Sequence, residues 1–168
     1  SSATAAEALR SDPRVAEAKR LIAEAVAEHA KSIDNVRRAD ESLVPGYQAM
    51  LERLGQARGG APIWPYLSAG LGNGPYVQLA DGSVKLDFIG GIGVHGCGHS
   101  DPRMVEAAID AALEDTVMQG NLQQHPPGLK MCERLLKFAT AEGAKFDHCL
   151  LSTSGAMANE NALKIALH

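Results

Sequence analysis

Apolar residues recur at Val15, Ile22, Val26, Ile33 and Val36, spacings that place them on one stripe of a helix running from Pro13 to Arg38. Asp12-Pro13 supplies a cap residue followed by proline in the first turn. Tyr47, Met50, Leu51 and Leu54 mark a second helix over Pro45–Arg58, closed by Gly59-Gly60-Ala61-Pro62. The pattern then changes. Tyr76 to Ala80 and Ser83 to Phe88 flank Asp81-Gly82, which predicts a β-hairpin. Asp101-Pro102 opens a further helix through Leu113, with Met104, Val105, Ala108, Ile109 and Ala112 inward. Leu129, Cys132, Leu135, Leu136 and Ala139 make the apolar face of a helix over Gly128–Ala139. The run from Phe146 to Ser152, with Cys149, Leu150 and Leu151 at its apolar end, predicts a buried strand. A helix is expected to follow within about two residues of Gly155.

The most informative stretch is that last junction, Ser152-Thr153-Ser154-Gly155-Ala156-Met157-Ala158-Asn159-Glu160. Thr153 and Ser154 are good N-cap residues. Gly155 and Ala156 leave the first-turn N–H groups uncovered. Such groups, with the positive end of the helix dipole, hold an anion well, and a phosphate is the natural guest.

Composition narrows the class. The chain has 168 residues, a net charge of −4 and a pI near 5.8, which argues against nucleic acid as partner. No run of about eighteen apolar residues suggests a membrane span, and Ser1–Arg10 lacks the apolar core of a signal peptide. Cys97, Cys132 and Cys149 form no C-x-x-C pair, so reduced thiols in a cytoplasmic protein are expected.

Several chemistries are excluded or disfavoured. There is no G-x-x-x-x-G-K-[ST] loop for a nucleoside triphosphate. Gly91-Ile92-Gly93-Val94-His95-Gly96 matches G-x-G-x-x-G, but the next helix opens only near Asp101, so the run reads as a glycine-rich turn. His95, Cys97 and His99 alternate but lack a fourth ligand, so no metal is expected. Ser152–Ser154 beside His148 lack the G-x-S-x-G elbow of a hydrolase. Lys164 lies two to three turns into its helix and reads as solvated. Gln119, Asn121, Gln123 and His125 read as exposed loop residues.

Ser154, Gly155, Ala156, Ala158, Asn159, Glu160, Ala162 and Lys164 resemble in register the phosphate turn of class III aminotransferases, pyridoxal-phosphate enzymes of fold type I. A second block resembles the same family: Asp81-Gly82-Ser83-Val84-Lys85-Leu86-Asp87-Phe88, Gly91-Ile92-Gly93-Val94 and Gly98-His99-Ser100-Asp101-Pro102. Lys85 stands where the family usually has an aromatic residue, and Met157 where it often has Glu. The resemblance covers Tyr76 to His168.

The resemblance implies an α/β fold: the N-terminal portion of a fold type I transferase. Its parts would be a helical arm (1–60), a segment with the β-hairpin and a helix (61–117), and the start of the large cofactor-binding domain (118–168). It implies pyridoxal 5'-phosphate as cofactor, held by Ser154, Gly155 and Ala156, with Ile92 on the substrate side. The reaction would transfer an amino group from an amino acid or amine to a 2-oxo acid or aldehyde. An aminomutase, a decarboxylase or a non-enzymatic assembly fragment are the alternatives. The family's cofactor-bearing lysine and ring-nitrogen acid lie downstream of the phosphate turn. No catalytic residue is therefore expected within the 168, and the chain alone is expected to be inactive. A homodimer is implied, with the turn near Gly91 and the loop Met118–His125 at its boundary. The arm reads as a packing or dimer-covering extension, a partner-binding coiled coil being the alternative.

Overall fold

The computed structural model describes residues 3–114 and 125–167. These fall into two compact units, one ending at Glu114 and the other following it.

The first unit begins with α1 (Ala5–Arg10), a short helix held by a reciprocal cap. The Glu7 N–H donates to Thr4 Oγ1 at 3.3 Å, and the Thr4 N–H donates to the Glu7 carboxylate at 2.7 Å. The sequence signal, Thr4-x-x-Glu7, is present, although periodicity alone does not reveal so short an element. Asp12 then caps α2 (Pro13–Ala30), accepting from the Arg14 N–H at 2.8 Å.

Helix α2 ends eight residues before the expected Arg38. After Ala30 the chain turns and becomes extended, and Arg37 exchanges two backbone hydrogen bonds with Val84, at 3.1 and 3.0 Å. Pairing with a strand edge satisfies these backbone groups as well as another helical turn would, and Asp34-Asn35 favour the departure. Ile33 therefore reaches the core without being helical, whereas Val36 is exposed.

Helix α3 (Val44–Arg58) ends at Gly59, which adopts φ 77°, the left-handed conformation that glycine tolerates. Three antiparallel strands follow in the order β1 (Ser68–Asn73), β2 (Tyr76–Leu79), β3 (Val84–Leu86). The expected hairpin is present, with Tyr76 opposite Leu86 and Gln78 opposite Val84. Strand β1 adds an edge that its glycine-rich sequence does not announce, and Gly74-Pro75 link it to β2. Val84 lies between Gln78 and Arg37, and its side chain is fully buried with Ile33 beside Ala30, Tyr47 and Leu79 as the other core residues. Tyr47 fastens α3 to the approach to β1: its hydroxyl donates to the Pro65 carbonyl and accepts from the Leu67 N–H at 3.1 Å.

Helix α4 (Pro102–Ala112) starts where Asp101-Pro102 predicts. It packs on α2, and Lys19 reaches both Glu106 (3.1 Å) and Asp110 (2.8 Å). The arm thus packs against α4 of its own unit.

The second unit contains α5 (Pro126–Ala139) and α6 (Gly155–Ala166). Pro126 and Pro127 occupy the first turn of α5, and His125 Nδ1 accepts the Gly128 N–H at 3.1 Å. His125 is thus a half-buried cap rather than an exposed loop residue. Gln119, Asn121 and Gln123 lie outside the described residues. Residues 146–152 do not form the expected strand. A strand exists by pairing, and none of the described strands pairs with this segment. No described helix is long and apolar enough to cross a membrane.

Candidate functional site

Helix α6 begins at Gly155, where the sequence places it. Ser154 is extended (φ −159°, ψ 161°), and its Oγ accepts the Met157 N–H at 3.2 Å. The Ala158 N–H bonds to the Ser154 carbonyl at 2.9 Å, and the Ser152 hydroxyl donates to that same carbonyl at 3.1 Å. Among the described residues, the N–H groups of Gly155 and Ala156 meet no acceptor. Both residues are exposed, and a Cβ added at Gly155 would meet nothing within 4 Å. The first turn of α6 is therefore uncovered by side chains of this unit. The N–H groups of Gly155 and Ala156 stand at the positive end of the helix dipole, the kind of terminus that suits an anion.

Lys164, two turns further on, donates to Glu160 at 2.7 Å and is well exposed. It belongs to an i,i+4 surface pair and not to the turn.

The glycine-rich segment of the first unit is built differently. Gly90, Gly91, Ile92 and Gly93 all have positive φ, at 56°, 60°, 58° and 91°. For Ile92 this conformation costs about 1–2 kcal/mol, because its Cβ approaches the following carbonyl. Its side chain is 93% exposed, so packing within the chain does not offset that strain. Hydrogen bonds from Ile92 N–H to the Ile89 carbonyl (3.0 Å) and from His95 N–H to the Gly90 carbonyl (2.9 Å) close the turn. No helix opens here, which agrees with reading Gly91–Gly96 as a turn rather than a dinucleotide loop.

Asp87 and His99 bracket this turn. Asp87 Oδ1 accepts the N–H groups of Ile89 and Gly90, each at 2.8 Å, and Oδ2 lies 2.7 Å from His99 Nε2. The Gly90 N–H, then His99, then the Ile89 N–H hold the Asp87 carboxyl down at about 2. The His95 ring lies 4.2 Å from the His99 ring, centroid to centroid. His99 is thus committed to a carboxylate and Cys97 is exposed. Among the described residues, no group of three His, Cys, Asp or Glu side chains is disposed to hold a metal. The sequence block that holds Asp87 and His99 does not reveal their pairing, since twelve residues separate them.

All three cysteines are free. Burial pushes the Cys132 thiol up, with the neighbouring Cys149 thiol adding to the effect.

Comparison with known proteins gives these elements a lineage. The segment 60–168 matches the model of the class III aminotransferases. Over 95 residues the chain is 37% identical to an acetylornithine aminotransferase of Methanocaldococcus jannaschii and 39% identical to a 2-aminoadipate transaminase of Pseudomonas putida. Each alignment covers 56% of this chain and 22% of the relative. An adenosylmethionine-8-amino-7-oxononanoate aminotransferase of Corynebacterium glutamicum is 36% identical over 118 residues, covering 62% of this chain and 26% of its own. The matches thus span about a quarter of the length of these relatives. No solved structure matches the chain at comparable significance. The hairpin and the start of the α/β domain at α6 lie within the matched segment and are consistent with the N-terminal region of a fold type I pyridoxal-phosphate transferase, and the chain belongs to the class III aminotransferase family.

Proposed function

We propose that this chain supplies the phosphate-binding turn of a pyridoxal-phosphate-dependent aminotransferase. The enzyme would move an amino group between an amino acid or amine and a 2-oxo acid or aldehyde. The observation that carries the reading is the open first turn of α6, with Ser154 as cap and the Gly155 and Ala156 N–H groups free. The cofactor, when bound, supplies an electron sink for the substrate's α-carbon. Ser154, Gly155 and Ala156 anchor its phosphate and so fix where its reactive end lies. Ile92 lines the amino-substrate side.

On this reading none of the described lysines is the one that this chemistry needs. Lys19 and Lys164 are engaged in ion pairs. Lys31, Lys85, Lys130, Lys137 and Lys145 are exposed, a setting unlike that of a lysine held for covalent work. The chain by itself is inactive on this reading.

The working enzyme is a cytoplasmic homodimer. Phe88 and Ile92 are each more than nine-tenths exposed, and Ile89 and Val94 lie open beside them, an apolar patch of the kind that a partner subunit covers.

Pyridoxal phosphate added to the full-length protein carrying this segment should give visible absorbance that survives dialysis. Gly155→Leu should release the cofactor without unfolding the protein, because the space around Gly155 is open. Equal retention by Gly155→Leu and the parent sequence would sink the phosphate assignment.

A further inference from the structure

We propose that Asp87 and His99 are positioning residues for the amino substrate, acting by holding the left-handed turn that presents Ile92. The proposal rests on the placement of Ile92 at the substrate side and extends it to the groups that keep it there.

The strained residue is Ile92, a β-branched side chain at φ 58° with almost no protein around it. Such a conformation persists only where neighbouring bonds over-determine it. Asp87 supplies those bonds from one carboxylate. One oxygen binds the two N–H groups at the turn's entrance, and the other binds the imidazole at its exit. The exit is itself fixed. His99 exchanges backbone hydrogen bonds with Gly74 at 2.9 and 3.0 Å, which ties it to the β1–β2 connection. Its ring carries the His95 ring on one side. Gly72 in β1 leaves room for it: a Cβ there would fall 2.6 Å from the His99 Cβ. The sheet therefore sets His99, His99 and Asp87 set the turn, and the turn sets Ile92.

The test is a double-mutant cycle in the full-length holoenzyme with 2-oxoglutarate as acceptor. L-ornithine, L-alanine and 4-aminobutyrate are tried in turn as donor, and the best of the three is used. Asp87→Ala should raise the donor KM on the order of tenfold or more, as expected for a misplaced binding group. Its cofactor absorbance should be unchanged. Asp87→Asn should stay within about threefold, because its amide oxygen still accepts both N–H groups. Ile92→Gly should raise KM to a similar degree, and the double variant Asp87→Ala/Ile92→Gly should be no worse than Ile92→Gly alone. Additive effects, or a KM unmoved by Ile92→Gly, would overturn the proposal while leaving the cofactor assignment intact. Ile92→Gly breaks no bond of the clamp, so this arm stands even where Asp87→Ala proves unstable. Absence of cofactor absorbance in the parent protein would instead sink the reading on which the proposal rests, and the proposal with it.

Discussion

Gly72 and His99 occupy space that only a glycine at position 72 leaves free. A Cβ at residue 72 would stand 2.6 Å from both the His99 Cβ and the Tyr76 carbonyl oxygen. One of these neighbours is backbone in the paired strand and cannot swing aside. Gly72→Ala should therefore cost about 1–3 kcal/mol, as overpacking of a closed site does. Denaturant unfolding of the chain and its variant measures this, and an unchanged midpoint would contradict the packing.

Tyr47 is the only side chain bonded to both Pro65 and Leu67 among the described residues. Tyr47→Phe removes one hydroxyl and leaves a carbonyl and an N–H without their partner. The expected loss is about 1–3 kcal/mol, the range for stranding a part-buried polar group. A thermal melt that matches the parent chain would mean water replaces the phenol at no cost.

Acid should release the glycine turn within a defined window. The Asp87 carboxyl titrates near 2 in the folded chain, against an ordinary value of 3.8. Because the folded value is the lower one, its contribution is complete above about pH 4 and is lost as pH falls through about 2. Amide exchange at Ile89 and Gly90 should accelerate across that interval, and Asp87→Asn should remove the transition. Exchange that rises only with global unfolding would argue that the carboxylate does not hold the turn.

Ser154→Ala removes the α6 cap and should cost about 1 kcal/mol of local stability, whereas Ser154→Gly should cost only a few tenths. Amide protection at Met157, whose N–H the serine accepts, is the direct readout. Equal protection in the alanine variant and the parent chain would show that the cap contributes nothing.

Lys164 gives the control for the chemistry. Its bond to Glu160 is a surface i,i+4 pair, so Lys164→Gln should change stability by about 0.5 kcal/mol or less. Borohydride treatment of the 168-residue chain with pyridoxal phosphate should label no single lysine stoichiometrically. Stoichiometric label on Lys164 would overturn both the reading of that side chain and the inactivity of the isolated chain.

Much of the fold was legible where a local signal decides the outcome. Asp12-Pro13 and Asp101-Pro102 mark true helix starts, and Ser154-Gly155 marks the start of α6. Asp81-Gly82 sits at the turn of a true hairpin. What misled was structure set by distant partners. The stripe through Ile33 and Val36 looks helical, yet Arg37 pairs with Val84, forty-seven residues later. Strand β1, Ser-Ala-Gly-Leu-Gly-Asn, has almost no strand propensity of its own and exists because β2 completes it. Phe146–Ser152 shows the converse: the propensity is there, and none of the described strands pairs with it. The cap and start of α6 are contiguous in sequence and so were readable. The Asp87–His99 clamp is a pairing across a turn and was not.

The run Gly90–Gly93 bears on chirality. Four consecutive residues with positive φ give this segment the opposite hand at φ to an ordinary L-residue backbone. A ribosome can meet that geometry cheaply only with glycine, the one achiral residue it has. Chemical ligation has no such limit. D-alanine at positions 90 and 93, where the surroundings are open, would find its favoured backbone region already built. It would stiffen the turn by narrowing what the unfolded chain can sample. The same substitution with L-alanine would work against the turn's handedness at each position.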